Sequence, residues 1–253
     1  MQAAVERAID AMWNRYHESL SLADIADTAI YSKFYFSRVF RSLTGTSPGR
    51  FLTAIRLTKA KELLLETSLS VTEISHRVGY SSLGTFTSRF TRSVGVSPAR
   101  YRSLSHKGIL SLPEFSAPVQ GRSAAAVSGW VTVPDSRIPV RVYVGAFTDP
   151  IAQGIPSACD VREGSGPYRL DAVPDRPYFI RAAVVAVNDL DPRPWKRQPL
   201  FVGAADPVAA GPGRTSEVDI ETRPSRLLDL PILLALPELD SHSAAEAELA
   251  ATR

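Results

Sequence analysis

The chain has 253 residues, 22% of them charged, with 29 Lys/Arg against 26 Asp/Glu and a formal net charge of +3. One cysteine, Cys159, and four histidines exclude a disulfide framework within the chain and a multi-cysteine metal site, and no run approaches the ~18 uninterrupted apolar residues of a membrane helix. The opening MQAAVERAIDAMW has neither the basic start nor the apolar run of a secretory leader, so a soluble, cytoplasmic protein without a membrane partner is expected.

The small net charge conceals an uneven distribution. Residues 1–107 hold 15 Lys/Arg against 8 Asp/Glu, net +7, whereas residues 108–253 hold 14 against 18, net −4. The basic part is the candidate polyanion binder, the bland alternative being a helical surface that lysines and arginines merely solvate. Its texture differs too. Up to about residue 104 the only prolines are Pro48 and Pro98, and apolar residues recur at i, i+3, i+4 and i+7, the helical period.

In chain order, the first predicted helix turns Ile9, Trp13 and Tyr16 toward a core. Ser21 then caps a short helix, with Asp24 at the return position of a capping box and Leu22, Ile25, Ala26 and Ala29 as the apolar face. The turn IYS leads to Ser32, which caps a longer helix over SKFYFSRVFRSL. There Phe36, Val39, Phe40 and Leu43 form the inward stripe, while Lys33, Phe34, Ser37, Arg38 and Arg41 face outward. Pro48 starts a helix that runs unbroken to about Glu66, about 28 Å at 1.5 Å per residue.

The pattern then repeats. LSLADI at 20–25 lies over LSVTEI at 69–74 with an offset of 49. After the turn the offset is 50, pairing Ser32 with Ser82, Phe36 with Phe86, Phe40 with Phe90, Gly45 with Gly95, Pro48 with Pro98 and Phe51 with Tyr101. The extra residue falls beside Gly79. Ser70 and Glu73 form a second capping box, and Ser82 caps a second long helix whose outward face is Leu83, Gly84, Thr87, Ser88 and Thr91. A short helix, a tight turn and a longer helix with a basic outer face make a helix-turn-helix, whose second helix enters the major groove of DNA. The ~28 Å linking helix, with the flanking units added, matches the ~34 Å between successive major grooves, so one chain would reach both without dimerising. His76 has no second ligand at metal spacing and reads as a surface or capping histidine.

The pattern L-S-x-x-x-I-A…S-x-x-x-F-S-R-x-F…G-x-S-P-x-x-F-x-x-x-x-R-L-x-x-A-x-x-L-L, followed by L-S-V-T-E-I-S…V-G-Y-S-S…F-x-S-R-F-T-R…G-V-S-P-x-x-Y-R, resembles the DNA-binding domain of the AraC/XylS family of bacterial transcription regulators over about residues 1–104. The resemblance implies a sequence-specific binder of double-stranded DNA, without cofactor, that would also touch RNA polymerase if it activates. It places base reading on Phe34, Ser37 and Arg38 in the first unit and on Leu83, Gly84, Thr87 and Ser88 in the second. A bidentate Arg38 contact to guanine would be worth roughly 1–3 kcal/mol of discrimination, phosphate pairing being the alternative. Leu83 and Gly84 offer no polar base contact, although Leu83 can touch a thymine methyl. The first unit is therefore expected to carry most of the specificity, with Lys33 and Arg41 beside it, and the second to add backbone contacts through Ser82, Thr85 or Arg89. Arg41, Arg56, Lys59 and Arg92 are the further phosphate candidates.

From Pro113 onward prolines crowd in and runs at 127–133, 140–147, 168–173, 178–187 and 217–221 read as strands. The expected fold class is thus α + β multidomain: an all-α double helix-turn-helix over 1–105, a linker at 106–123, an all-β sandwich over 124–238 and a flexible tail at 239–253. The phrases VSGWVTVP, VRVYVGAF and GPYRLDAVPDRPYFIRAAV are similar to the transthyretin-like, carboxypeptidase regulatory-like sandwich, whose accessory, assembly and ligand-binding roles do not transfer. Trp130, Arg141, Tyr143, Arg181 and Trp195 either line a pocket for a small-molecule effector or simply alternate between two faces of a sheet. A homodimer or a partner-protein contact through an edge strand or sheet face is the other role open to this half. Companion domains in the family often precede the DNA-binding part, and here the strand-rich half follows it, so the usual sensor's ligand logic is not carried over. With no nucleophile elbow, histidine pair at metal spacing or phosphate loop, no enzyme is expected. The rival is a non-specific architectural DNA-binding protein.

Overall fold

The structure, a computed structural model, describes residues 1–107, 125–135, 137–173, 177–187, 199–205, 208–209 and 214–233. Contacts divide the chain into two compact units, one of them helical and the other rich in strands. The expected tail at 239–253, most of the expected linker and Trp195 lie outside the described residues. No helix among the described residues is long and apolar enough to cross a membrane.

The helical unit contains α1 (Gln2–Arg15), α2 (Leu22–Thr28), α3 (Lys33–Thr44), α4 (Pro48–Glu66), α5 (Val71–Arg77), α6 (Leu83–Val94) and α7 (Pro98–Lys107). Both short helices start with a complete capping box: the Ser21 and Ser70 hydroxyls each accept from the N3 backbone, and the Asp24 and Glu73 carboxylates accept in return from the cap N–H. Both long helices after the turns end on a left-handed glycine, Gly45 and Gly95, where a side chain would strain the backbone.

The repeat is visible as packing. Phe36, Phe40 and Phe51 form a ladder of rings with centroids 5.4 and 5.5 Å apart, and Phe86, Phe90 and Tyr101 repeat it at 5.6 and 5.7 Å. All six side chains are essentially fully buried. Around the first ladder pack Val5, Ile9 and Met12 of α1 and Ile25 and Ala26 of α2, with Trp13 and Tyr16 partly buried against them. This unit also takes in the segments Pro150–Gly154 and Arg226–Leu234. From the latter, Leu228 and Leu230 pack on the cluster around the first ladder, and the Leu233 carbonyl accepts from Lys61 Nζ at 3.1 Å.

Three local expectations are corrected. Leu22 and Leu43, read as inward, are 39% and 38% exposed. The inner row of α3 runs Phe36, Phe40, Thr44 at i+4 spacing, and Thr44 turns in because its hydroxyl bonds the carbonyls of Phe40 and Thr46. Ser32 stands at the N-cap of α3, but its hydroxyl accepts no cap hydrogen bond, and the helix opens on the backbone bond from Phe36 N to Ser32 O at 2.8 Å.

The strand-rich unit contains β1 (Ala125–Thr132), β2 (Val140–Phe147), β3 (Ala158–Glu163), β4 (Gly166–Val173), β5 (Pro177–Ala186), β6 (Phe201–Ala204), β7 (Val208–Ala209), β8 (Thr215–Glu217), β9 (Ile220–Glu221) and β10 (Arg223–Pro224). One sheet runs β4-β1-β8 with β9 also on β1; the other runs β10-β6-β5-β2-β3 with β7 on β5. Val127, Val131, Leu170 and Ile220 from the first share one core with Val142, Val144, Ile180 and Val184 from the second, so the sheets form a sandwich. The expected pocket residues do not converge. Trp130 is half exposed on β1, while Arg141, Tyr143 and Arg181 alternate with core residues on β2 and β5 and so lie on the other face of the second sheet. A cavity of about 390 Å³ lies elsewhere in the unit, lined by Val133, Pro134, Asp135, Ile138, Glu163 and Val187 among others.

Candidate nucleic-acid interface

The buried ladders fix the rotation of α3 and α6, so the residues between the rings must turn out. On α3 Lys33, Phe34, Arg38 and Arg41 are exposed, as are Tyr35, Ser42 and Leu43; on α6 Leu83, Gly84, Thr85, Ser88, Arg89, Thr91 and Arg92 are exposed, preceded by the exposed Ser82. Ser37 and Thr87, equivalent under the repeat, are only partly exposed, because each directly follows a buried ring, Phe36 or Phe86. Both were expected on the outward face and stand at its edge. The Ser82 hydroxyl is engaged as a cap, accepting from Thr85 N at 3.4 Å.

Arg38 is held by its own helix. Tyr31 and Tyr35 meet edge-on at 5.0 Å, the Tyr35 hydroxyl donates to Met1 Sδ at 3.3 Å, and the Arg38 guanidinium lies 5.9 Å from the Tyr35 ring centroid. A guanidinium resting on a ring loses less rotamer freedom when it engages a partner. Lys33 Nζ lies 5.2 Å from the Phe34 ring centroid. Neither α3 nor α6 contains an acidic residue. Among the described residues, none of Lys33, Arg38, Arg41, Arg89 and Arg92 forms an ion pair. The two helices therefore present positive charge that nothing on them compensates.

Two of the phosphate candidates are spent on the fold. Arg56 is half-buried, donates from Nε to the Tyr16 carbonyl at 2.8 Å and from Nη2 to the Glu18 carbonyl at 2.7 Å, and lies 6.0 Å from the Tyr80 ring centroid. Burial pushes its guanidinium below its ordinary value. Lys59 pairs with Glu62 at 2.8 Å and covers the Trp13 ring at 5.5 Å. Arg41 and Arg92 remain exposed, as does His76 in the last turn of α5.

Gly84, which the family resemblance places among the base readers, has open space around it. A Cβ built there would meet only Ser82 Oγ, at 3.8 Å, which is ordinary contact. Among the described residues nothing requires a glycine in the first turn of α6, yet glycine costs a helix about 1 kcal/mol relative to alanine.

The helix-turn-helix domain family matches residues 25–103, from α2 into α7. The chain is 30% identical over 98 residues to the lactose operon transcription activator of Staphylococcus xylosus, covering 39% of this chain and 35% of that one. It is 31% identical over 86 residues to the probable transcription factor PqrA of Proteus vulgaris, covering 34% of this chain and 70% of that one. Among solved structures it is similar to the DNA-binding domain of the global transcriptional factor AdpA in complex with a target DNA, at 31% identity and a TM-score of 0.39, covering 41% of this chain and 95% of that one. The chain spans 36%, 35% and 62% of the length of the first curated relatives it matches.

Proposed function

This chain belongs, through its helical half, to the AraC/XylS family of helix-turn-helix transcription regulators, and from that premise we propose that it recognises a specific double-stranded DNA sequence, with α3 and α6 in two successive major grooves. The observation that carries this reading is the paired architecture: two exposed helix faces, free of acidic residues, each set by the same buried three-ring ladder. The 19 residues of α4 separate them by a helix of about 28 Å, compatible with one turn of B-DNA once the flanking units are added.

In this reading Arg38 contacts guanine, while Lys33, Arg41, Ser82, Thr85 and Arg89 hold phosphates and fix the register. Phe34, Ser37, Leu83, Gly84, Thr87 and Ser88 complete the surface against the bases. The domain limits are 1–105 for DNA binding and 124–238 for the sandwich, which meets a small-molecule effector or a second copy of the chain. RNA polymerase is a partner if the regulator activates. The test is selection of bound fragments from a random DNA pool by the full chain at ~0.15 M salt. Enrichment of one motif with two blocks about one helical turn apart is expected; a pool that stays random overturns the specific reading and leaves an architectural binder.

A further inference from the structure

The helical unit is completed by two segments from far along the chain, Pro150–Gly154 and Arg226–Leu234. The first of them meets both recognition helices at their C-terminal ends. Gly154 N donates at 2.7 Å to the carbonyl of Ser93, in the last turn of α6, where the helix itself supplies no donor. The Ser93 hydroxyl donates to Gln153 Oε1 at 3.0 Å. At the end of α3, Pro150 Cβ lies 3.8 Å from where a Cβ on Gly45 would stand. Ile151 and Ala152, between these two contacts, are buried. The second segment fastens the first to α4: Leu233 N donates to the Ala152 carbonyl at 2.9 Å, and the Leu233 carbonyl accepts from Lys61 Nζ at 3.1 Å. The local sequence suits this docking. Gly154 has φ 68°, and a Cβ there would meet the Arg92 carbonyl at 3.1 Å, so both backbone and space call for glycine. Ser93, 5% exposed, stands where the repeat puts Leu43 in the first unit, so a buried hydroxyl that bonds Gln153 belongs to the second copy alone.

Resting on the DNA reading above, we propose that Pro150–Gly154 is a brace that sets the separation of α3 and α6, which makes Gln153 and Gly154 determinants of the spacing between the two DNA blocks that the chain accepts. Along the backbone the two helix-turn-helix units are joined by α4, and a single long helix curves readily. A second connection, off the axis of α4 and tied to the ends of both recognition helices, resists that bending. Spacing is then a source of specificity. One added base pair moves the second block by about 3.4 Å and turns it by about 34°, a displacement that a braced pair of helices cannot follow without breaking the Gly154 and Gln153 bonds. The brace holds the C-terminal ends, whereas the N-terminal residues of the second helix are those that reach base edges. Gln153 and Gly154 are therefore positioning residues and touch no base.

The experiment measures affinity of the full chain for the two-block site recovered by selection, for the same site with one base pair added or removed between the blocks, and for the first block alone. Wild type should lose roughly ten-fold or more on either altered spacing. Gln153→Ala should cut that penalty roughly five-fold, the factor equivalent to one hydrogen bond of ordinary net strength, while affinity for the first block alone stays unchanged. Gly154→Pro, which removes the N–H and cannot adopt a positive φ, should abolish most of the penalty. Should that variant fail to fold, Gln153→Ala and Ser93→Ala carry the result, since both leave the backbone bond in place. A full spacing penalty in folded Gln153→Ala and Ser93→Ala overturns the brace and leaves the separation to α4, with sequence-specific binding intact. An equal loss on the first block alone also overturns it, because the segment then supports the stability of the unit and not the separation of its helices. Failure to recover any site overturns this inference together with the reading it rests on.

Discussion

Ile30 and Gly79 hold the same left-handed position in the two helix-turn-helix turns, at φ 60° and φ 85°. The same backbone thus carries the least tolerant kind of side chain in one copy and none in the other. The two sites differ in space. Ile30 is 82% exposed, whereas a Cβ at Gly79 would meet the Tyr16 carbonyl at 2.8 Å and Arg56 Cζ at 3.0 Å.

Ile30→Gly is predicted to stabilise the helical unit by about 1 kcal/mol, relief of left-handed strain exceeding the added chain entropy. Gly79→Ala is predicted to destabilise it by about 2 kcal/mol or more, from strain and the clash with a backbone atom. Urea unfolding of each variant measures both, and equal effects of the two changes would contradict the account.

Arg56 and Arg38 should separate stability from binding. Arg56→Met removes two hydrogen bonds to the Tyr16 and Glu18 carbonyls and should cost about 2 kcal/mol of stability. DNA affinity measured well below the unfolding midpoint should stay within about twofold of wild type, since this guanidinium is committed to the fold. A large affinity loss in a fully folded Arg56→Met protein would return Arg56 to the phosphate contacts.

That contrast marks how far the sequence could be read. The ladders were legible because Phe36, Phe40 and Phe51 recur as Phe86, Phe90 and Tyr101 at one offset. The end of α3 follows from the glycine at its C-cap, Gly45, and the start of α4 from Pro48 in its first turn. Arg56 was not separable from Arg41 or Arg92, because its acceptors are backbone carbonyls about 40 residues away that no side-chain pattern announces. Leu43 reads inward by period alone and loses that place to Thr44, whose buried hydroxyl is satisfied locally. In the strand-rich unit β2 and β5 were visible as long Val-rich runs. β3 and β6 were missed because they are short and mostly half-buried along their length, and their pairing with β2 and β5 is non-local.

Gly84→Ala should trade function for stability. Alanine fits without a clash and should raise helix stability by up to about 1 kcal/mol. If α6 approaches DNA through its first turn, the added methyl should weaken binding to the selected site while the thermal midpoint rises. Stability and affinity that rise together would show that no close approach occurs there.

The capping boxes give a pH signature. Hydrogen bonds from Ser21 and Ser70 hold the Asp24 and Glu73 carboxyls below their ordinary values. A carboxyl depressed in the folded state contributes its stability above its unfolded pKa, about 4, and loses it as pH falls through the lower folded value. The urea midpoint should therefore drop on acidification below about pH 4. Glu73→Gln should reduce part of that drop, and an identical pH profile for the variant would contradict the assignment.

The central claim, sequence-specific reading led by Arg38, is tested most directly by the affinities of wild type and Arg38→Ala for the selected site and for a scrambled duplex at ~0.15 M salt. A base-reading arginine predicts a loss of roughly ten-fold or more on the selected site, with the scrambled duplex changed by less than about threefold. Equal losses on both duplexes would contradict it, making Arg38 a phosphate contact and the chain a binder without sequence preference at that helix.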